Sequence, residues 1–321
     1  MQVERKALYN SLRFNWLKNQ KLEVEYWQVD DYRSIALEEL FALLNQRKIP
    51  IDQDAFINRA ENFETPEELT QSICYDISDK AKTDQIYLIC FELWRRLLPH
   101  KQSLSIFCDE LDHQIHLYEK KQTDEESLQE ILSYLEEILH DNADEGEDPL
   151  EIFQWITHCC AHEVESFLYN YISTQIEEEK LSYSTELIDN FSDFVQDPNW
   201  FDFLKARIVI LSDREEAYEI LADLSEDLAE EPDLDLSFEI LQIVSESSHQ
   251  QLFNNITQQI LPQIQKTRDL IDLLKIAKRF FIHLNQEQRA EEIDQLLLEV
   301  KSNEEMEVSK DQIDNFKKLF E

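Results

Sequence analysis

Two pairs of acidic and imidazole side chains have the residue types and spacing to hold a metal ion. Glu110 precedes His113 by three residues, and Glu137 precedes His140 by the same interval. Residues three apart share a face of a helix, and helical di-iron proteins use two such pairs together with two further glutamates. The four residues predict a helical metalloprotein with a Glu-x-x-His site as one alternative for the function.

Pairs with this spacing are also expected by chance from the composition of the chain. In a chain of 321 residues with 8 histidines and 69 acidic residues, roughly two acid-x-x-His pairs arise without any function. The chain has three, including Glu246 with His249. The two helices would also follow each other directly, whereas the di-iron fold separates them by another helix. We therefore expect no bound metal and no cofactor, and keep the four residues as an alternative.

The segment His158–His162, which has the sequence HCCAH, is a second cluster of potential metal ligands. On a helix its two histidines would share a face, and thiolate and imidazole groups are typical ligands of zinc. The segment offers too few ligands alone, so Cys108 or His116 would have to fold close to it. A half-buried helical turn is the simpler interpretation.

Motifs for enzyme chemistry are absent from the chain. The single glycine leaves no Gly-rich phosphate loop, and there is no Gly-x-Ser-x-Gly or His-Glu-x-x-His sequence. Nucleophilic catalysis by a cysteine needs a thiolate beside a base, and no local signature indicates one. We expect no catalytic residues and no enzymatic activity.

The elements that must position these side chains are predicted to be helices throughout. Strong helix formers dominate, and start signals recur, such as Thr65-Pro66-Glu67-Glu68 and the capping boxes at Thr123, Ser212 and Ser309. Only residues 22–27 alternate in a way that would suit a short extended link. The sequence predicts an all-α fold of about fifteen or more helices, stacked as antiparallel hairpins in an α-solenoid or as two bundles.

The clearest hairpin is Thr267–Val300, two amphipathic helices joined by the polar pair Asn285-Gln286. Its apolar positions follow the helical period. They are Leu270, Ile271, Leu274, Ala277, Phe281 and Leu284 in the first helix, and Ala290, Ile293, Leu296, Leu297 and Val300 in the second.

A related segment lies upstream, where Leu211–Ile220 aligns with Leu284–Ile293 at an offset of 73 residues and matches Ala217 to Ala290. This is about twice the ~34-residue period of tetratricopeptide units, so residues 201–300 resemble a tetratricopeptide-like helical repeat. The turn glycine of that family is absent from both copies, and Pro232 serves as end proline for the first only. The resemblance implies stacked hairpins that bind other proteins.

The segment Asp141–Pro149 is the clearest break in the pattern, because it holds the only glycine, five acidic residues and a proline. It predicts an N-terminal helical domain over residues 1–146 and a C-terminal helical-repeat domain over 147–321. An ordinary loop inside one solenoid is the alternative.

The charge of −39 is distributed unevenly. Residues 1–48 are near neutral, whereas residues 122–179 hold 17 acidic residues and 215–265 hold 12, both without a lysine or arginine. The negative electrostatic field of these two regions repels nucleic acid and anionic lipid and favours a basic partner. The aromatic and basic residues of the first 33 positions also suit a protein partner better than RNA.

The function expected from the sequence is therefore a non-enzymatic interaction scaffold, adaptor or chaperone-like protein that binds a basic segment of another protein. An acidic mimic of nucleic acid is a further alternative. Five cysteines in apolar contexts and the lack of an apolar signal core or membrane span indicate a reduced, cytoplasmic protein. The expected partner-binding residues are acidic ones from two helices: Glu136, Glu137, Glu215, Glu219, Asp223 and Glu226.

Overall fold

The structure, a computed structural model, describes residues 4–300 and 307–317. Eighteen α-helices and a short 3-10 turn at Tyr32–Ser34 make up the regular structure of this part of the chain. Its only β-type pairing is an isolated bridge between Lys266 and Glu307. The all-α fold class predicted from the sequence is confirmed. None of the described helices combines the length and apolar character needed to cross a membrane.

Of the described residues, unit 1 comprises 4–170 and 193–196. It contains nine complete helices and the first part of a tenth: α1 Glu4–Lys18, α2 Tyr26–Val29, α3 Leu37–Gln46, α4 Gln53–Ala60, α5 Pro66–Ile73, α6 Lys80–Leu97, α7 Leu104–Glu119, α8 Glu125–Asp144, α9 Pro149–Thr157 and α10 Val164–Glu177.

Helix α6 forms the centre of unit 1. Its residues Ile86–Trp94 are all buried, and most of them are fully excluded from solvent. A helix that is buried on every side must be surrounded by others, and α3, α5 and the 3-10 turn all pack on α6. The outer helices are therefore arranged around α6.

Unit 2 comprises, among the described residues, 171–192, 197–300 and 307–317. After α11 it consists of three helical hairpins, whose first helices begin 36 and 33 residues apart, and a short final helix. The helices are α11 Leu181–Phe191, α12 Pro198–Val209 with α13 Arg214–Glu230, α14 Leu234–Val244 with α15 Gln250–Ile260, α16 Thr267–His283 with α17 Glu287–Val300, and α18 Lys310–Lys317.

The hairpin predicted over residues 267–300 is present as α16 and α17. Its predicted apolar positions are buried except for Leu284 and Leu296, which are half-buried. The two segments aligned in the sequence both lie at the corner of a hairpin, one between α12 and α13 and the other between α16 and α17. The matched residues Ala217 and Ala290 are both buried, which suits close approach of the paired helices.

Several helices end without the glycine that usually takes the left-handed backbone conformation. Lys48, Lys121, Glu179 and Asn285 adopt positive φ angles between 56° and 66°. At α16 the amide of Gln286 donates to the carbonyl of Phe281 at 2.8 Å, the bond that closes a Schellman motif. Asn285 thus takes the position that glycine usually occupies in this motif, and asparagine tolerates this conformation better than most residues.

The division between the two units falls after Asn170, within α10, rather than at Gly146. The segment Asp141–Pro149 joins α8 to α9 inside unit 1, where these two helices pack on each other and α9 also packs on α7. A run of acidic and turn-forming residues therefore marks a corner between neighbouring helices here.

Candidate functional site

A layer of polar side chains lies between α1 and α7. Polar residues recur on one face of α7 at Asp109, Asp112, His116 and Glu119, which are three or four residues apart. The Asn10 side chain on α1 donates to Asp109 at 2.9 Å and to Asp112 at 3.3 Å. The packing of α1 against α7 thus lines up these side chains.

At one end of the layer, Asp109 is buried between two cations. Its carboxylate lies 2.8 Å from Lys6 and 2.6 Å from Arg33. Burial acts to raise the pKa of Asp109, but the charges of Lys6 and Arg33 and the hydrogen bonds from Lys6 and Asn10 outweigh burial and hold the pKa well below its usual range. Arg33 also pairs with Glu110 at 2.9 Å.

In the middle of the layer, the fully buried carboxylate of Asp112 organises the chain between α9 and α10. It accepts from the backbone amides of Ala161 at 2.8 Å and His162 at 3.0 Å, and it lies 2.9 Å from His162 Nδ1. Residues 158–163 consequently form a turn rather than a helix. The helical spacing assumed for the HCCAH segment does not exist there.

At the other end of the layer, His116, Glu119 and His162 come together. Each offers one nitrogen or oxygen atom, and these three atoms all lie within 4.8 Å of one another. The ring of Phe14 contacts both imidazoles, with centroid distances of 4.5 Å to His116 and 4.6 Å to His162. Burial, followed by the positive charge of Lys120, lowers the pKa of His116 to about 4, so this imidazole is neutral near pH 7.

The structure does not bring Glu110, His113, Glu137 and His140 together. Among the described residues, His116, Glu119 and His162 are the only group of three or more potential metal ligands whose ligand atoms all lie within 4.8 Å of one another. The carboxylate of Glu110 forms an ion pair with Arg33 and is therefore already engaged by a cation. The sequence pointed to His116 as a residue that could approach the segment containing His162, but not to Glu119, because Glu119 follows its histidine whereas the Glu-x-x-His pattern places the acid first. A pattern with the acid three residues after the histidine identifies His116 and Glu119 as the α7 half of the site.

The cysteines of the HCCAH segment approach α7 at a different point. The thiols of Cys108 and Cys160 both donate to the backbone carbonyl of Ile156, at 3.6 and 3.7 Å. The neighbouring thiols of Cys159 and Cys160, together with burial, raise the pKa of Cys108. All five cysteines of the chain are free thiols in the structure. Cys108 and His116 therefore both fold close to the HCCAH segment. Cys108 lies beside Cys159 and Cys160, whereas His116 lies beside His162.

The expected partner-binding residues lie on two helices, one in each unit. Five of them are exposed to solvent, and Glu136 is half-buried. Helix α13 carries a continuous acidic surface, called here the α13 ridge, which consists of the exposed residues Glu215, Glu216, Glu219, Asp223, Glu226, Asp227 and Glu230. No described lysine or arginine forms an ion pair with any of these seven side chains. On α8, Glu126, Glu130, Glu137, Asp141 and Asp144 are exposed in the same way.

Unit 2 also contains an open groove formed by the first helices of its three hairpins. Trp200 of α12, Phe238 of α14 and Ile276 of α16 supply its apolar lining. Its charged lining is of both signs, including Asp235, Glu239, Asp272, Arg268, Lys275 and Arg279. Because no residue of the α13 ridge lines this groove, the strongest negative surface and the apolar groove are separate features.

Comparison of the chain with models of known protein families, with curated proteins and with solved structures found no significant match.

Proposed function

We propose that this protein is a non-enzymatic interaction protein, and that the α13 ridge binds a basic segment of another protein. The observation that supports the proposal is the set of seven exposed carboxylates along one helix, none of them paired with a described cation. The ridge extends over the 17 residues of α13, a length of about 25 Å.

The ridge is unfavourable for α13 considered alone. Carboxylates recur at intervals of three and four residues, for example at Glu219, Asp223 and Glu226. Like charges at these intervals destabilise a helix by roughly 0.2–0.5 kcal/mol for each pair. The opposite face offsets this cost, because Ala217, Leu221, Leu224 and Leu228 are buried.

A cationic partner would relieve this repulsion and gain ion pairs. Each exposed pair contributes roughly 0.2–1 kcal/mol and is screened by salt. Several pairs along the ridge would therefore give a moderate, salt-sensitive affinity and fast association. The groove near Trp200 and Phe238 offers apolar surface to a partner that extends beyond the ridge.

The proposal is tested with a fluorescein-labelled lysine-rich peptide, whose binding is followed by anisotropy at low and high salt. We expect the triple variant Glu219→Gln, Asp223→Asn, Glu226→Gln to bind about tenfold more weakly at low salt, because three contacts are lost. The matched control is Glu287→Gln, Glu291→Gln, Glu292→Gln. It neutralises three exposed carboxylates of α17 in the same unit and changes the net charge equally.

The control variant should weaken binding by no more than about twofold, because a peptide bound along α13 forms no ion pair with α17 and loses only part of the long-range attraction. Equal loss in both variants would reduce the effect to bulk charge and contradict a specific role for the ridge. The same pair of variants, used in cross-linked pull-downs from native cells at low and high salt, then identifies natural partners. Competition by duplex DNA for those partners would favour the nucleic-acid mimic.

A further inference from the structure

We propose that His116, Glu119 and His162 form a binding site for a divalent transition metal ion such as Zn²⁺. The site brings together the end of α7 and the turn that precedes α10, both in unit 1. It is independent of the α13 ridge and uses residues different from the Glu-x-x-His pairs.

The donor set has the chemistry of a zinc site. Two imidazole nitrogens and one carboxylate oxygen lie within 4.8 Å of one another. A tetrahedral zinc ion about 2.0–2.2 Å from each donor holds its ligand atoms roughly 3.4 Å apart, so binding would draw the three side chains slightly closer together. His116 and Glu119 are three residues apart on α7 and share a face. Two imidazoles favour zinc and its neighbours over Mg²⁺ or Ca²⁺, which prefer oxygen ligands.

The orientation of His162 is the second observation that supports the site. Its Nδ1 lies 2.9 Å from Asp112, whose carboxylate can only accept hydrogen bonds. Nδ1 therefore carries the proton, and Nε2 keeps a lone pair free for a metal. Metal-binding histidines typically have such a carboxylate behind the ring. Asp112 is fully buried and also holds the backbone of Ala161 and His162, so the ring is fixed before any ion arrives.

The surroundings suit an accessible site with one apolar wall. The buried ring of Phe14 contacts both imidazoles and excludes water on that side. Glu119 is exposed, and His162 lines an open groove together with His158, Glu163 and Gln196. An ion could therefore enter from solvent. Three protein ligands would leave a fourth position for water or a small ligand, the arrangement that separates open zinc sites from closed structural ones.

The test measures Zn²⁺ binding to the full chain after treatment with a chelator. We expect isothermal calorimetry to show one strongly bound Zn²⁺, Co²⁺ to give the absorption of a four- or five-coordinate site, and imidazole resonances of His116 and His162 to shift. Glu119→Gln should lower the affinity tenfold or more, and His116→Gln should abolish stoichiometric binding. Because Glu119 is exposed, its variant is expected to fold.

The matched control is His140→Gln, which removes an exposed histidine from α8 of the same unit. It should leave the affinity unchanged within twofold. The proposal is overturned if wild type and the Glu119→Gln variant bind Zn²⁺ equally, or if the His140→Gln control weakens binding as strongly as His116→Gln. Shifts at other histidines, without shifts at His116 and His162, would also contradict it.

Discussion

Acidic residues have opposite environments in the layer between α1 and α7 and on the α13 ridge. In the layer, Asp109 is buried and paired with Lys6 and Arg33. On the ridge, seven carboxylates are exposed and have no described cationic partner. The chain has 69 acidic but only 30 basic residues, so most carboxylates cannot be paired internally. Burial is accompanied by pairing in the first region, while water solvates the charges of the second.

The difference indicates where charge contributes to stability and where it is available to a partner. A buried carboxylate that loses its cation must be desolvated without compensation, which is costly. An exposed carboxylate loses little when it is neutralised, because water already screens it. Substitutions of the buried acids in the α1–α7 layer should therefore lower stability, and those on the ridge should mainly change binding.

The largest effect is expected from Asp109→Asn. This change leaves Lys6 and Arg33 without their shared carboxylate and should lower the free energy of unfolding by about 3 kcal/mol, as measured by urea denaturation near pH 7. The folded-state pKa of Asp109 lies below its usual value of 3.8. The contribution of the ionised Asp109 to the free energy of unfolding is therefore complete above pH 3.8 and is lost as the pH falls below this value. The difference in unfolding free energy between the Asp109→Asn variant and wild type should narrow below about pH 4.

The control for Asp109→Asn is Asp141→Asn, an exposed position on α8, which should change stability by less than about 0.5 kcal/mol. If both substitutions had similar small effects, the contrast between paired and solvated acids would fail.

A smaller effect, with a different pH dependence, is expected at Glu67. This buried carboxylate accepts from Tyr87 at 2.7 Å and Ser105 at 3.1 Å, both of them uncharged donors. Burial raises the pKa of Glu67 above 4.5 and outweighs these hydrogen bonds. The folded state thus binds a proton that the unfolded state has lost, and the stability from this group falls as pH rises through the folded pKa.

Replacement of Glu67 by Gln removes that titration. The unfolding free energy of the variant relative to wild type should rise by on the order of 1 kcal/mol as pH increases from about 4.5 to 7, as measured by urea denaturation at several pH values. A constant difference across this range would show that Glu67 ionises in the folded protein as readily as in the unfolded chain.

The smallest effect on folding is expected from the ridge variant Glu219→Gln, Asp223→Asn, Glu226→Gln. Removal of like-charge pairs on α13 should raise the free energy of unfolding by roughly 0.5 kcal/mol at low salt, and the gain should shrink at high salt because repulsion is screened. Thermal denaturation at two salt concentrations measures this difference. A marked loss of stability would mean that these carboxylates have structural partners and would weaken the case for a docking surface.

The helical architecture was predictable from local sequence because helices depend on nearby residues. Almost no glycine, recurring caps and apolar residues at helical intervals predict an all-α fold, and the faces of α16 and α17 are buried largely as expected. At the last helix the predicted capping box is present, since Ser309 Oγ accepts from the Gln312 amide at 3.3 Å and the Ser309 amide donates to Gln312 Oε1 at 2.9 Å. The boxes predicted at Thr123 and Ser212 were wrong, because α8 and α13 begin after Asp124 and Asp213. The acidic residues of α13 that were expected from the sequence to meet a partner, among them Glu215 and Glu219, are exposed.

Only the tertiary structure decided which polar residues meet. His116 and His162 are 46 positions apart in the chain, and their proximity depends on Asp112 turning the segment before α10. Likewise, Arg33 reaches Glu110 across 77 positions and removes it from any ligand set. Sequence spacing determines which side chains share a helix face, because the helix repeats locally. The neighbour of that face is set by the packing of distant segments, which no local pattern encodes.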